Sequence, residues 1–291
     1  MSSYAPTVPN AVPSANLQAL RTVATFSSEQ LRTLGQLVTF VGYTVYHVPL
    51  TLRKYRRETL DRTINLAWGR GSLIVDGGVI SVLVVLGIAI GGMVAIEAWA
   101  TLNIMGFGAL SGIVGGLANV REMGPLVAGI AFAAQCGCRM TAEIGSMRIA
   151  EEIDAVEAMG LRSIPFVVGT RLVGGLLCVT PGYALTLLTS FFVSNFMIQR
   201  VYHAPGGTYR HYFVEFLSAT DLAYSTVKAM VFAAAVIIIH CYYGYFASGG
   251  PVGVGQASGR AVRASLVAVM TLDFFLTVFL WGLKPTFVFK G

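Results

Sequence analysis

The sequence predicts an all-α, polytopic membrane protein. Of its 291 residues, 55% are hydrophobic and only 12% are charged, whereas about a quarter of the residues in a soluble domain are charged. The mean hydropathy is +0.69. Long apolar stretches recur along the chain, several of them reaching the roughly 20 residues that a membrane-spanning helix requires.

The distribution of charge argues against nucleic-acid binding. The net charge is +6, but Lys and Arg concentrate between Arg53 and Arg70, beside apolar spans rather than in a basic domain. This pattern is typical of a segment at the cytoplasmic leaflet. The four cysteines all lie in apolar segments, where free Cys packs as a small hydrophobic residue. Cys136 and Cys138 lie two residues apart and His240 lies beside Cys241, but neither group forms a four-ligand set, so no metal site is expected.

The N-terminal part divides into two regions. Residues 1–28 are rich in Pro, Ser, Ala and Asn, lack the apolar core of a signal peptide, and are predicted to be a disordered leader. Residues 29–70 are predicted to form an interfacial amphipathic helix region, interrupted at Pro49, with basic residues over an apolar face that ends near Trp68. A charged helix in a soluble cap remains the alternative.

Residues 71–291 form the predicted membrane domain. Its first span covers residues 73–99, and the next apolar material comes in two short pieces on either side of Arg121 and Glu122. These pieces are either a hairpin of two short helices or one long tilted span broken at Gly124-Pro125. The basic residues that follow favour the single broken span, because positive charges concentrate on the cytoplasmic side.

Three further spans complete a predicted set of five. The third is long enough to be tilted or kinked at Pro181-Gly182, and a polar, aromatic loop over residues 199–226 follows it outside the membrane. A glycine-rich cytoplasmic turn separates the last two spans. The predicted bounds are 165–198 for the third span, 228–246 for the fourth, 247–259 for the turn and 260–283 for the fifth.

Arg121 and Glu122 are the candidate polar residues at membrane depth. Each costs on the order of 3 kcal/mol at mid-bilayer if it faces lipid, so both are expected to face protein or water. Adjacent residues of a helix point to different sides, so each needs its own partner. The alternative is that they lie in a loop at the outer surface.

A short amphipathic helix is predicted at about residues 147–160. Apolar residues follow one face and carboxylates follow another, and Gly160 is a natural stop. Such a short helix is marginal alone, so it either docks against a basic groove of a cytoplasmic partner or is a solvated loop helix. The apolar face contains Ile149, Ile153 and Val156, and the acidic face contains Glu151, Asp154 and Glu157.

The segment NVREMGPLVAGIAFAAQCGCRMTAEIGSMRIAEEIDAVEAMGL, residues 119–161, resembles the signature of the MlaE/YrbE permeases. The last two apolar stretches resemble the final two helices of the same family, and the resemblance covers roughly residues 60–283. The segments HCYYGY and GGPVGVG are most similar to actinobacterial YrbE B-type permeases of Mce lipid-transport systems.

The resemblance implies an ABC-transporter core. It would combine this permease with a second YrbE-type permease, a cytoplasmic ATPase dimer that holds ATP and Mg, and extracellular or periplasmic Mce proteins that form a lipid-conducting tunnel. No cofactor is expected in this chain. The implied coupling residues are Ile149, Glu151, Glu152, Asp154, Glu157 and Met159. The implied residues of the lipid cavity are Arg121, Glu122, Met93, Ile96, Trp99 and Phe275.

The sequence-based hypothesis is therefore a multi-pass permease of the plasma (inner) membrane, with a cytoplasmic N-terminus and an outside C-terminus. Its cargo would be a hydrophobic lipid such as a fatty acid, a sterol or a phospholipid. The chain has no phosphate-binding loop, so ATP hydrolysis is assigned to the partner. Two alternatives are a non-transporting scaffold that anchors Mce-type proteins and an intramembrane enzyme that uses Glu122 or His240.

Overall fold

The computed structural model describes Arg32, residues 35–69 and residues 78–282. The predicted leader, residues 1–28, lies outside the described residues. The chain divides into two units, Met1–Tyr43 and Thr44–Gly291. Residues 35–43 of the first unit are helical, and the following description concerns the second unit.

The described part of the second unit is helical almost throughout, which confirms the all-α prediction. Short turns connect its helices, and five-residue π-helical turns interrupt or flank the longer ones. The α-helices are α1 Val48–Lys54, α2 Arg56–Trp68, α3 Val79–Ile104, α4 Ser111–Ala118, α5 Gly124–Phe132, α6 Cys138–Ile149, α7 Glu152–Ala158, α8 Thr170–Phe196, α9 Gly206–Phe216, α10 Ala219–Tyr245 and α11 Gly250–Trp281.

Residues 111–149 form one uninterrupted helical rod, which we call the central helix. It joins α4, α5 and α6 through π turns at Asn119–Met123 and Ala133–Gly137. The structure therefore has neither the hairpin nor the break that the sequence suggested at Gly124-Pro125. Pro125 is accommodated because it lies in the first turn of α5, directly after the first π turn.

Contacts between the long helices show the direction in which each one runs. Along α3 and α8 the contact positions rise together: a Cβ on Gly87 would meet Thr186, and a Cβ on Gly91 would meet Ser190. These two helices are therefore parallel. The central helix runs against them, because Asn119 at its start donates a hydrogen bond to the same Ser190.

The last two long helices continue the alternation. Ser225 near the start of α10 donates a hydrogen bond to the Val120 carbonyl, and the Thr141 hydroxyl further along the central helix bonds to the His240 carbonyl. Hence α10 runs parallel to the central helix. Contacts of α11 with α10 pair Thr277 with Lys228 and Ser265 with His240, so these two helices are antiparallel.

The alternation defines two ends of the bundle. The α7 end contains α1, α2, α7 and the turn between α10 and α11, and the α9 end contains the turn after α3, together with α9. Within the described residues, four helices are long and apolar enough to cross a membrane, namely Val79–Ile104, Pro165–Val201, Ala219–Tyr245 and Gly250–Trp281. Because α3 and α8 are parallel, the chain must cross back between them, and the central helix makes that return. This favours five crossings, a count that stays a prediction.

Several boundaries differ from the sequence-based prediction, among them the end of α3, which lies at Ile104 rather than at residue 99. The predicted outer loop contains α9, which packs on α4 because two glycines of α4, Gly112 and Gly115, leave room for Tyr209. The fourth long helix begins at Ala219 rather than at residue 228, since the Ser218 side chain caps it by accepting from the Asp221 N–H at 3.0 Å. The predicted glycine-rich turn is largely helical, because α11 starts at Gly250.

Candidate functional site

The π turn Asn119–Met123 carries two charged side chains that reach different partners. The Glu122 carboxylate lies 3.0 Å from the Lys228 ammonium group and accepts a hydrogen bond from Thr277 at 2.9 Å. The Arg121 guanidinium group lies 3.2 Å from the Asp221 carboxylate. The two residues therefore face polar groups of the protein, as their position beside apolar stretches required.

Lys228 is the cation at the centre of this arrangement. Its side chain is fully buried, with 0% exposure, and its Nζ lies 2.7 Å from Asp273 as well as 3.0 Å from Glu122. It also donates a hydrogen bond to the Thr277 hydroxyl at 2.6 Å. One buried ammonium group thus contacts two carboxylates and a hydroxyl, so the lysine is both paired and hydrogen-bonded, as a buried charge requires.

The same lysine also satisfies the backbone around Pro125. Proline has no N–H, so the carbonyl four residues earlier loses its usual helical donor. That carbonyl belongs to Arg121 and accepts from the Lys228 ammonium at 2.9 Å. The preceding carbonyl, of Val120, accepts from the Ser225 hydroxyl at 2.6 Å. Side chains of α10 therefore replace the backbone donors that Pro125 and the π turn remove, as is common in membrane helices.

Trp281 completes the arrangement at the end of α11. The Arg121 guanidinium lies 5.6 Å from the centre of its ring, and the indole N–H donates to Asp221. We call the ionisable groups of this site the charge cluster, which joins the central helix, α10 and α11. Its members are Arg121, Glu122, Asp221, Lys228 and Asp273.

Sequence reasoning found only part of the charge cluster. It singled out Arg121 and Glu122, but it did not identify Asp221 or Lys228 as their partners. A detectable signal existed, because Ser218 three residues before Asp221 matches a helix-start pattern. Starting α10 there would have placed Asp221 and Lys228 two helical turns apart on one face.

The second candidate site is α7, which presents two contrasting faces. Ile153 and Val156 are buried, with 0% and 8% exposure, so the apolar face docks onto the chain itself. The side chains of the carboxylate face are exposed, and Met159 is 69% exposed. The exposed carboxylates are Glu151, Glu152, Asp154 and Glu157.

α7 is shorter than the predicted helix at residues 147–160. Ile149 is the last residue of α6 and is 41% exposed. Glu151 has a φ of 58°, a left-handed conformation that cannot continue a right-handed helix. A sharp turn at Glu151 therefore separates α6 from α7.

Two of the four carboxylates of α7 are held by the chain itself. Arg148 donates to Asp154 at 2.8 Å, and the Ser163 hydroxyl donates to Glu157. The hydroxyls of Ser163 and Tyr245 lie 2.9 Å apart. Glu151 and Glu152 have no side-chain partner among the described residues, which leaves their charge available to another molecule.

The predicted cavity residues fall into two groups. Met93, Ile96 and Phe275 are 69%, 47% and 63% exposed, on two helices, α3 and α11, that both pack against α5. Trp99 differs, because its ring stacks on Tyr202 at 5.4 Å between centroids. Trp99 therefore contributes to packing at the α9 end.

His240, a residue of the enzyme alternative, is a packing residue in this structure. It is fully buried, and its ring nitrogens lie 2.8 Å from the Thr141 hydroxyl and 3.2 Å from the Ser265 hydroxyl. A Cβ on Gly137 would come within 2.6 Å of the imidazole. The site leaves no room for a substrate beside the ring.

Comparison with known proteins gives a family match over most of the chain. A family model described as Permease MlaE matches residues 72–279. A probable ABC transporter permease protein of Rickettsia bellii is 29% identical over 165 residues, which cover 55% of this chain and 62% of that protein.

Two other relatives extend the comparison. Protein TRIGALACTOSYLDIACYLGLYCEROL 1, a chloroplastic protein of Arabidopsis thaliana, is 29% identical over 171 residues, covering 56% of this chain and 47% of that protein. The intermembrane phospholipid transport system permease protein MlaE of Haemophilus influenzae is 27% identical over 208 residues, covering 70% and 80%. The chain thus spans less than two thirds of the Rickettsia and Arabidopsis relatives.

Proposed function

This chain belongs to the MlaE permease family, and from that membership we propose that it is the membrane subunit of an ABC-type transporter of lipids. The match to an intermembrane phospholipid transport permease supports this function. The substrate class would be a hydrophobic lipid, such as a phospholipid, a fatty acid or a sterol. The YrbE and Mce type suggested by the sequence is part of the same proposal.

The charge distribution supports a cytoplasmic α7 end. Basic residues of α1 and α2 lie there, as do others in the last turn of α6, after α7 and in the first half of α11. The positive-inside rule assigns such an end to the cytoplasm, so the N-terminus would be cytoplasmic and the C-terminus outside. Basic residues at this end include Arg53, Lys54, Arg56, Arg57, Arg62, Arg148, Arg162, Arg260 and Arg263.

The acidic face of α7 is the observation that carries the coupling role. Its apolar face is fixed to the chain, whereas Glu151 and Glu152 face outward without a partner among the described residues. An ATPase dimer with a basic groove would bind this face, and ATP and Mg would be bound on that partner. Movement of the ATPase would then reach the membrane helices through the turn at Glu151.

A second permease is proposed to complete the lipid cavity. α11 is the least buried of the four long apolar helices. Only 11% of its most apolar stretch is buried, against 39% in each of the others. Its exposed side chains include Phe275, and the exposed side chains of α3 include Met93 and Ile96. A cavity between two permeases would use these surfaces, with Glu122 of the charge cluster, 40% exposed, near its wall. Mce-type partners would bind at the opposite, α9 end.

Charge reversal on α7 tests the proposal. We expect Glu152→Lys to weaken binding of the ATPase and to lower ATP-dependent lipid transport in reconstituted liposomes, because it adds a positive charge to the acidic face. Asp61→Lys is the matched control, since Asp61 is an exposed carboxylate of α2 at the same end. If Glu152→Lys copurifies with the ATPase and transports lipid as well as the control, the coupling role is wrong.

The alternative of a non-transporting scaffold makes a different prediction. A scaffold would retain its Mce-type partners in Glu152→Lys and would show no ATP-dependent lipid movement in the wild type. The enzyme alternative is disfavoured by the family match and by the enclosed position of His240. Glu122, its other candidate residue, is paired with Lys228.

A further inference from the structure

A polar cavity lies at the α7 end, between α2, α6 and α8. Its volume is about 110 Å³, and it is separate from both the charge cluster and the acidic face of α7. Three arginines line it, one from each helix, together with a single carboxylate. The polar residues of this arginine pocket are Arg62, Asn65, Arg139, Glu143 and Arg171.

The three guanidinium groups converge on one carboxylate. Glu143 lies 2.9 Å from Arg139, 3.4 Å from Arg171 and 3.7 Å from Arg62. Arg62 is also shared with Glu58 of its own helix, at 3.0 Å. Even with Glu58 counted, three positive charges face two negative ones, so the pocket retains an excess of one positive charge.

Arg171, which lines the pocket, has unused hydrogen-bonding capacity. Its side chain is only 3% exposed, one terminal nitrogen donates to the Val167 carbonyl at 2.8 Å, and the other faces Glu143. Its Nε is buried and has no hydrogen-bond partner. An unsatisfied buried donor is costly, so the protein does not by itself satisfy all the donors of this guanidinium group.

We propose that the arginine pocket binds a phosphate-type anion, supplied either by a lipid headgroup or by free phosphate. The planar guanidinium fork matches phosphate oxygens, and several arginines around one site are the usual arrangement for phosphate recognition. Glu143 acts as the internal counter-ion with which the anion competes. This proposal goes beyond lipid transport, because it places a ligand outside the cavity between permeases.

The position of the arginine pocket suits a headgroup. It adjoins α2, whose basic residues and exposed Trp68 are typical of a helix in the membrane interface. Basic pockets between helices at the cytoplasmic side are known binding sites for anionic lipid headgroups. Free phosphate would use the same three guanidinium groups, so only experiment separates the two sources.

The test measures binding of two probes to the full-length chain. Inorganic phosphate is titrated into the protein in phospholipid-free detergent at constant ionic strength, with the thermal unfolding midpoint as the readout. In parallel, nanodiscs of phosphatidylglycerol and of phosphatidylcholine are compared by the lipid that copurifies after extraction. Bound ligand raises the midpoint according to its concentration and affinity.

Substitutions in the pocket are expected to act in opposite directions. Arg139→Gln, at a position about one-third exposed and thus tolerant of change, should weaken binding about tenfold, the equivalent of 1.4 kcal/mol. Glu143→Gln should tighten binding, because the competing carboxylate is gone, and phosphate should raise its midpoint more than that of the wild type. Arg57→Gln is the control, since it removes the same charge from an exposed position of α2 outside the pocket.

The outcomes assign the source or overturn the proposal. A response to both probes assigns the site to the phosphate group itself, a response to phosphatidylglycerol alone assigns it to a headgroup, and a response to inorganic phosphate alone assigns it to a small anion. If neither probe responds, or if Arg139→Gln and Arg57→Gln weaken binding equally, the pocket is a closed ion-pair network and the proposal fails. Arg62→Gln provides a second pocket variant should Arg139→Gln not fold.

Discussion

Replacing Lys228 by Met should be the most destabilising single change in the charge cluster. Lys228 is the cation within ion-pair distance of both Glu122 and Asp273, and it also bonds to the Arg121 carbonyl freed by Pro125. Removing one partner of a buried ion pair costs about 3–5 kcal/mol. Because the Glu122 side chain is 40% exposed and water screens it, the lower end, about 3 kcal/mol, is expected.

The measurement is equilibrium unfolding of the purified full-length chain in mixed micelles with increasing SDS. Arg260→Met is the matched control, since Arg260 is an exposed cation on α11, and it should change stability by less than about 0.5 kcal/mol. The combination of Lys228→Met with Glu122→Gln and Asp273→Asn should recover much of the loss, because no uncompensated charge remains.

Two results would refute this reasoning. A loss below about 1 kcal/mol for Lys228→Met would mean that the carboxylates are solvated or protonated without the lysine. A neutral triple variant as unstable as Lys228→Met alone would mean that packing of the lysine stem, rather than charge compensation, stabilises the cluster.

Three further predictions concern backbone contacts and pH. Gly91→Ala should destabilise the chain by about 1–3 kcal/mol, because the added Cβ would lie 2.4 Å from the Ser190 carbonyl oxygen. Gly92→Ala is the control and should not destabilise it, since a Cβ there would meet open space. Equilibrium unfolding of the two variants measures the difference. Glu151→Gly should raise the unfolding free energy by about 1 kcal/mol, since glycine adopts the left-handed conformation without strain; an unchanged or lower value would contradict this. Burial would raise the pKa of Glu143, but hydrogen bonding and the charges of neighbouring guanidinium groups lower it overall. Its ionised form therefore stabilises the protein above the ordinary glutamate pKa, and this contribution is lost as the pH falls below that value; Glu143→Gln should flatten the acid limb of a stability-against-pH curve.

The sequence predicted the fold class well because apolar composition alone determines it. Few arrangements other than helices can bury long runs such as residues 79–104 in a bilayer. Boundaries were less predictable where local signals conflicted. The segment 250–259 contains glycines that suggest a turn, yet it is helical because Pro251 lies in the first turn of α11, a position where proline favours a helix.

The charge cluster shows why partners are harder to predict than exposure. The cost of a charge in lipid required that Arg121 and Glu122 face polar surroundings, and they do. Periodicity indicates the face of a helix on which a residue lies, but it does not identify the neighbouring helix. Lys228 becomes recognisable as the partner only once the parallel packing of α10 on the central helix is known. For α7, periodicity predicted the two faces, but only the left-handed conformation of Glu151 shows where the turn lies.

The central helix places α7 and the charge cluster near opposite ends of one rod. From Glu122 to Ile149 it spans about 40 Å at 1.5 Å per residue. The second π turn of the rod is tightly packed against α10, since Gly137 has no room for even a Cβ beside His240. We therefore expect that a displacement passed from α7 to the rod moves α10 together with it, and the ion pairs of the charge cluster extend the same body to α11. On the proposed function, a transport movement would therefore open the proposed interface with a second permease, at the exposed surfaces of α3 and α11, while the charge cluster stays intact.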